Sequence, residues 1–163
     1  MPCEMIQTIQ TLCLTDRPVV IDTNILLDCF IFEDEGTLHL REWLLQARLQ
    51  WIATQAMQQE FIRVLTYPTL KDWLAQKNRQ QQMQIQALGD IFSRYAAIVP
   101  PAPETRFRCK DPDDQKFIDL ALAHQSVLLS KDKAVLRLRS RLQKEGVIVS
   151  AQGSALLGRV NTP

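Results

Sequence analysis

A chain of 163 residues that is 46% hydrophobic carries enough apolar material for one ordinary core and needs no disulfide or metal staple to hold it. Lys and Arg total 19 against 18 Asp and Glu, so the net charge of +1 excludes neither a nucleic-acid nor a small-molecule substrate; what matters is where the charges cluster. Four scattered cysteines without a Cys-x-x-Cys pair, and only two histidines, argue against a zinc site and fit reduced thiols in a cytoplasmic protein.

No apolar run approaches the roughly 18 residues that a membrane span requires. Residues 1–16 form an extension without the basic cluster of a signal peptide, and Met5, Ile6, Ile9 and Leu12 give it the spacing of a short docking helix. Residues 17–163 read as a single domain. Its first strand runs from about Arg17 to Asp22 and is β-branched; Ile25, Leu26, Leu27, Phe30 and Ile31 then outline a buried helix that ends near Glu33-Asp34-Glu35-Gly36. A second helix is expected over about Thr37 to Ala47 with Leu38, Trp43, Leu44 and Leu45 on its apolar side. Leu49 to Ala53 reads as a strand, and Thr54 as the N-cap of a helix carrying Met57, Phe61, Val64 and Leu65.

From about residue 68 to 95 the chain is Gln-rich and helical in pattern, enough for two helices. Ala96 to Val99 reads as a third strand and Pro100 to Pro103 as an extended linker. Helix, strand and helix follow at Pro112 to His124, Ser126 to Ser130 and Lys133 to Gln143, then a last strand at Val147 to Val149 and a short helix at Ala151 to Leu157. This alternation predicts a mostly parallel sheet covered on both faces, with all strand carboxyl ends on one rim.

Carboxylates recur at that rim. Asp22 stands at the end of the first strand and Asp132 just beyond the strand that ends at Ser130; each also reads as an N-cap. Glu60 sits too far from Thr54 to cap its helix and shares a face with Met57, Phe61 and Val64, where an acid must be paired or bound to metal. A helix edge or a salt bridge to Arg63 would also explain it. In Lys110-Asp111-Pro112-Asp113-Asp114-Gln115-Lys116-Phe117, capping accounts for Asp111. Asp114 falls in line with Phe117, Ile118 and Ala121 on the inward face, with Asp113 as the alternative.

Carboxylates gathered at one rim stay ionised together only with cations between them, and an all-oxygen donor set selects Mg2+ or Mn2+. The chemistry suited to such a centre is metal-assisted attack of water on a phosphodiester, with Thr23, Asn24 and Ser130 as orienting polar groups. Arg106, Arg108 and Lys110 precede the acidic turn, while Lys131, Lys133, Arg137, Arg139, Arg141 and Lys144 follow Asp132; they read either as solvated helix faces or as a phosphate-tracking surface.

Val-Val-Ile-Asp-Thr-Asn-Ile-Leu, then Glu60, then Lys-Asp-Pro-Asp-Asp-Gln-Lys-Phe, then Leu-Leu-Ser-Lys-Asp resembles the PIN-domain nucleases, in particular the VapC-like toxin components of toxin-antitoxin pairs. The likeness runs from about Arg17 to Val149. It implies a three-layer α/β/α sandwich and an endoribonuclease using Mg2+ or Mn2+ held by Asp22, Glu60, Asp114 and Asp132, with Asn24 and Ser130 assisting. Its implied partners are RNA and an antitoxin protein, with a homo-oligomer possible. A housekeeping RNA-processing nuclease and a non-enzymatic, partner-binding α/β domain are the alternatives. A receiver domain would need an acid after the third strand, where Ala-Ile-Val-Pro-Pro stands; a haloacid-dehalogenase-like phosphatase would need a second acid at Asn24.

Overall fold

The computed structural model describes residues 16–77, 87–153 and 156. The docking helix expected within the first 16 residues, most of the Gln tract (residues 78–86) and residues 154, 155 and 157 of the final helix expected over Ala151 to Leu157 lie outside them.

Five short strands carry the fold: β1 Val19–Ile21, β2 Ile52–Ala53, β3 Ala97–Ile98, β4 Val127–Leu129 and β5 Ile148–Ser150. Val19 lies opposite Val127 in the parallel pair β1-β4, Val127 opposite Ile148 in β4-β5, and Ile52 opposite Ala97 in β2-β3. A parallel bridge from Val19 to Trp51, with the Val19 N–H donating to the Gln50 carbonyl at 2.9 Å, joins the two groups. The resulting order is β3-β2-β1-β4-β5, all parallel. β1 and β4 are the inner strands on which the site depends, and every residue of both is buried. Continuous apolar, β-branched or leucine-rich runs suit strands covered on both faces. β3 is exposed at the edge, with Ile98 at 45%.

Helices connect the strands: α1 Thr23–Phe30, α2 Leu38–Leu45, α3 Gln55–Leu65, α4 Pro68–Lys77, α5 Ile91–Tyr95, α6 Gln115–His124, α7 Lys133–Leu136 and α8 Arg139–Lys144. Thr54 caps α3 as expected, its hydroxyl accepting the Met57 N–H at 3.4 Å. Phe61 of α3 and Trp51 both close on Phe92 of α5, with ring centroids 5.4 and 4.7 Å away, and all three rings are buried. Phe117, Ile118, Leu120 and Ala121 do the same for α6, which packs on β1 and β4. Burying side chains of this size contributes about 1.5–3 kcal/mol each.

Two expectations are corrected. Leu38 and Leu45 of α2 are exposed, while Leu40, Trp43 and Leu44 are buried. The inward stripe follows the i, i+3, i+4 spacing from Leu40, and Leu38 and Leu45, seven apart, share a different stripe. The helix expected over Lys133 to Gln143 is broken at residues 137 and 138 into α7 and α8, and the turn buries Leu138 beside Leu142 in the core.

Candidate metal centre

The chain steps outward from β1 through β2 to β3, then returns to the other flank of β1 for β4. In an open parallel sheet this reversal leaves a crevice between the carboxyl ends of the two diverging strands. Asp22 and Asp132 stand at that crevice.

Asp22 continues the ladder, its N–H donating to the Leu129 carbonyl at 2.9 Å, and its own carbonyl accepts from Ile25 and Leu26 to begin α1. Its carboxylate Oδ1 accepts the Asn24 N–H at 3.3 Å and Oδ2 accepts the Ser130 hydroxyl at 2.7 Å. Burial pushes the Asp22 carboxyl above its ordinary value, against the pull of those two hydrogen bonds. Ser130, wholly buried, also accepts the Asp132 N–H at 3.2 Å on its Oγ, so one hydroxyl ties the two strand-end acids together. Asp132 caps α7, its Oδ1 accepting the Ala134 N–H at 2.7 Å.

The third acidic segment comes from the turn before α6. Asp111 caps a 3-10 turn, Pro112–Asp114, and accepts the Asp113 N–H at 3.0 Å. Gln115 anchors the approach to this turn: its Oε1 accepts the Cys109 N–H at 2.8 Å and its Nε2 donates to the Phe107 carbonyl at 2.8 Å and to Asp119 at 2.9 Å. Buried Asp119 also accepts from the Thr105 N–H and hydroxyl at 3.1 and 3.0 Å. The segment is thereby clamped to α6, and Asp114 turns inward while Asp113 stays exposed.

Asp111, Asp114 and Asp132 each bring one carboxylate oxygen within 4.8 Å of the other two. The Asp114 Oδ2 is buried with no hydrogen-bond partner. Burial first, then the charges of Asp22, Asp132 and Asp111, push its carboxyl up to about 7. A buried, unpartnered oxygen among like charges is costly. A divalent cation would remove that cost, and an oxygen-only donor set fits Mg2+ or Mn2+.

Glu60 lies at the edge of this cluster with both oxygens engaged: Oε2 accepts the Thr23 hydroxyl at 2.6 Å and Oε1 pairs with Lys116 at 3.1 Å. The salt-bridge partner is thus Lys116 of α6 rather than Arg63. Among the anticipated cations, Lys131 pairs with Asp28 at 2.6 Å, Arg106 with Glu145 at 3.0 Å and Arg108 with Glu104 at 3.1 Å. Lys110, Lys133 and Arg137 are exposed and make no ion pair among the described residues.

Two residues escaped the sequence reading. Capping fully explained Asp111, yet Asp111 and Asp114 are three apart, a spacing that puts two carboxylates on one side of a turn. Lys116 directly precedes buried Phe117 and lies two residues after Asp114, where a cation beside an acid has reason to be paired.

A family model described as the PIN domain matches residues 18–134, a span from β1 to the start of α7 that takes in Asp22, Glu60, Asp111, Asp114 and Asp132. The chain belongs to the PIN domain family. Such domains are generally nucleases that use divalent metal ions, and the acidic cluster of this PIN domain could hold one. It is also similar to the uncharacterized protein MJ1680 of Methanocaldococcus jannaschii, 26% identical over 122 residues that make up 74% of each chain. No solved structure matches it significantly. Among the described residues no helix of this PIN domain is long and apolar enough to cross a membrane.

Proposed function

We propose that this PIN domain is a Mg2+- or Mn2+-dependent endoribonuclease, and that the buried, unpartnered Asp114 oxygen between Asp111 and Asp132 marks where its metal is held. A divalent cation bound there would lower the pKa of a water and screen the phosphate. Asp111, Asp114 and Asp132 would hold it, with Asp22 beside them and kept in place by Ser130. Glu60, fixed by Lys116 and Thr23, adds negative charge at the edge, and Asn24 is exposed at the rim where it can orient a water. Lys110, Lys133 and Arg137 are the cations left to meet the RNA backbone; Arg106 and Arg108 can exchange their exposed partners for phosphate at little cost, whereas Lys131 is held by the largely buried Asp28.

Its place in the cell, on this reading, is that of a toxin in the cytoplasm, held inactive by an antitoxin protein; the sequence likeness to VapC-like toxins supports this. The wild-type protein is expected to cut single-stranded RNA with Mn2+ and to stop in excess EDTA. Asp114→Asn is expected to lower the rate at least about a hundredfold, as loss of a group that holds the catalytic charge does. Undiminished cleavage in EDTA or in that variant overturns the metal-dependent mechanism at Asp114, and no cleavage by the wild-type protein with Mn2+ overturns the nuclease reading. Expression is expected to arrest growth unless Asp22 is replaced by Asn; unaffected growth on expression of an active enzyme removes the toxin role and leaves the nuclease.

A further inference from the structure

A second concavity adjoins the acidic centre. A cleft of about 480 Å3 lies between α1, the turn at residues 34–37 and the segment after β5, with Ile25, Asp28, Asp34, Lys131 and Ala151 in its walls. Lys131 immediately precedes Asp132, and its ammonium is pinned to Asp28 at 2.6 Å. Asp28 follows Asp22 by six residues on α1, about 9 Å along the helix at 1.5 Å per residue. Two wall residues of the cleft, Asp28 and Lys131, thus belong to the same two chain segments that carry Asp22 and Asp132.

Charge decides what can enter it. Lys131 offsets Asp28, which leaves the exposed carboxylate of Asp34 without a hydrogen bond or ion pair among the described residues. The Asp34 backbone is fixed, its carbonyl accepting the Thr37 N–H at 2.9 Å and the Thr37 hydroxyl at 2.8 Å. Its Oδ2 lies 3.1 Å from where a Cβ at Gly36 would stand, so the glycine leaves the carboxylate its room. An uncompensated carboxylate repels a phosphate and favours paired N–H donors. Among nucleobases, guanine offers a carboxylate two adjacent donors, N1–H and N2–H2, and keeps O6 and N7 as acceptors for an ammonium such as Lys131. Ile25 and Ala151 supply apolar contact for the ring.

We propose that this cleft is a base-recognition subsite for guanine, read by Asp34 together with Lys131, and that it selects which RNA linkage reaches the acidic centre. The inference rests on the nuclease reading, and two measurements keep the two apart. In the first, protein in EDTA is titrated with GMP, AMP, CMP and UMP while amide resonances are followed by NMR. GMP is expected to shift the Gly36 and Ala151 amides and to bind about tenfold more tightly than the others; Asp34→Asn is expected to erase that margin. Equal binding of all four, or shifts only elsewhere, overturns the subsite. In the second, the cuts made by wild-type protein in a random RNA pool with Mn2+ are sequenced. Guanine is expected to be enriched at one fixed position beside the cut, and the enrichment to vanish in Asp34→Asn. Cutting with no enrichment, or with another base enriched, overturns the subsite and leaves the nuclease intact. Selective GMP binding without metal-dependent cutting overturns the nuclease reading and supports the guanine site.

Discussion

Ser130 donates its hydroxyl to Asp22 and accepts the Asp132 N–H, so two of the clustered acids depend on one small side chain. Ser130→Ala leaves the buried Asp22 Oδ2 without its donor, and the protein is expected to lose about 1–3 kcal/mol in urea unfolding; an unchanged midpoint would mean that water replaces the hydroxyl. Asp114 makes a pH-dependent prediction. Its carboxyl is near 7 in the folded protein and near 3.8 in an unfolded chain, so the folded state holds the proton more tightly. That contribution to stability is complete below about 4 and is lost as pH rises to about 7. Metal-free protein should therefore show a melting temperature that falls between pH 5 and 7.5, a slope that Asp114→Asn flattens and that Mn2+ opposes. A melting temperature that climbs over this interval would contradict the raised carboxyl. Asp22 and Asp132 were legible because a strand-end acid followed by a helix start has a sequence signature. Asp111 was not, because its capping role is real and left nothing over to explain.

At the scale of the element, the helix starts were readable and the inward faces less so. Thr54, Asp111 and Asp132 cap what they were expected to cap, since a cap is a local hydrogen bond. The face of α2 depends on what packs against it: Leu40 belongs to the buried stripe and Leu38 to solvent. Leu40→Ala is accordingly expected to cost about 2–5 kcal/mol and Leu38→Ala no more than about 0.5 kcal/mol, both read from denaturant midpoints. Equal losses would mean that the stripe has been misassigned or that a partner covers Leu38. The break between α7 and α8 has no proline or glycine to announce it; the burial of Leu138 settles it, and that is a tertiary effect. Glu60 shows the same limit, because its partner Lys116 lies 56 residues away on α6.

Across the whole molecule, what the sequence could not state was adjacency. Alternating strands and helices announce a parallel sheet, but only the order β3-β2-β1-β4-β5 puts β1 beside β4 and so brings Asp22 to Asp132. The turn before α6 then carries Asp111 and Asp114 onto the same crevice, and four carboxylates from three separate segments of chain meet where no lysine or arginine side chain neutralises Asp114 among the described residues. A fold that assembles such a charge cluster is stable with a cation between the carboxylates, or with a proton on one of them. The most direct test is a calorimetric titration of Mn2+ at pH 6, where Asp114 is largely protonated, into wild-type protein and Asp114→Asn. The account predicts that wild-type protein binds Mn2+ and releases about one proton per ion, seen as a dependence of the heat on the buffer, and that the variant binds far more weakly without that release. Equal affinity in the two proteins, or wild-type binding that releases no proton, would contradict it.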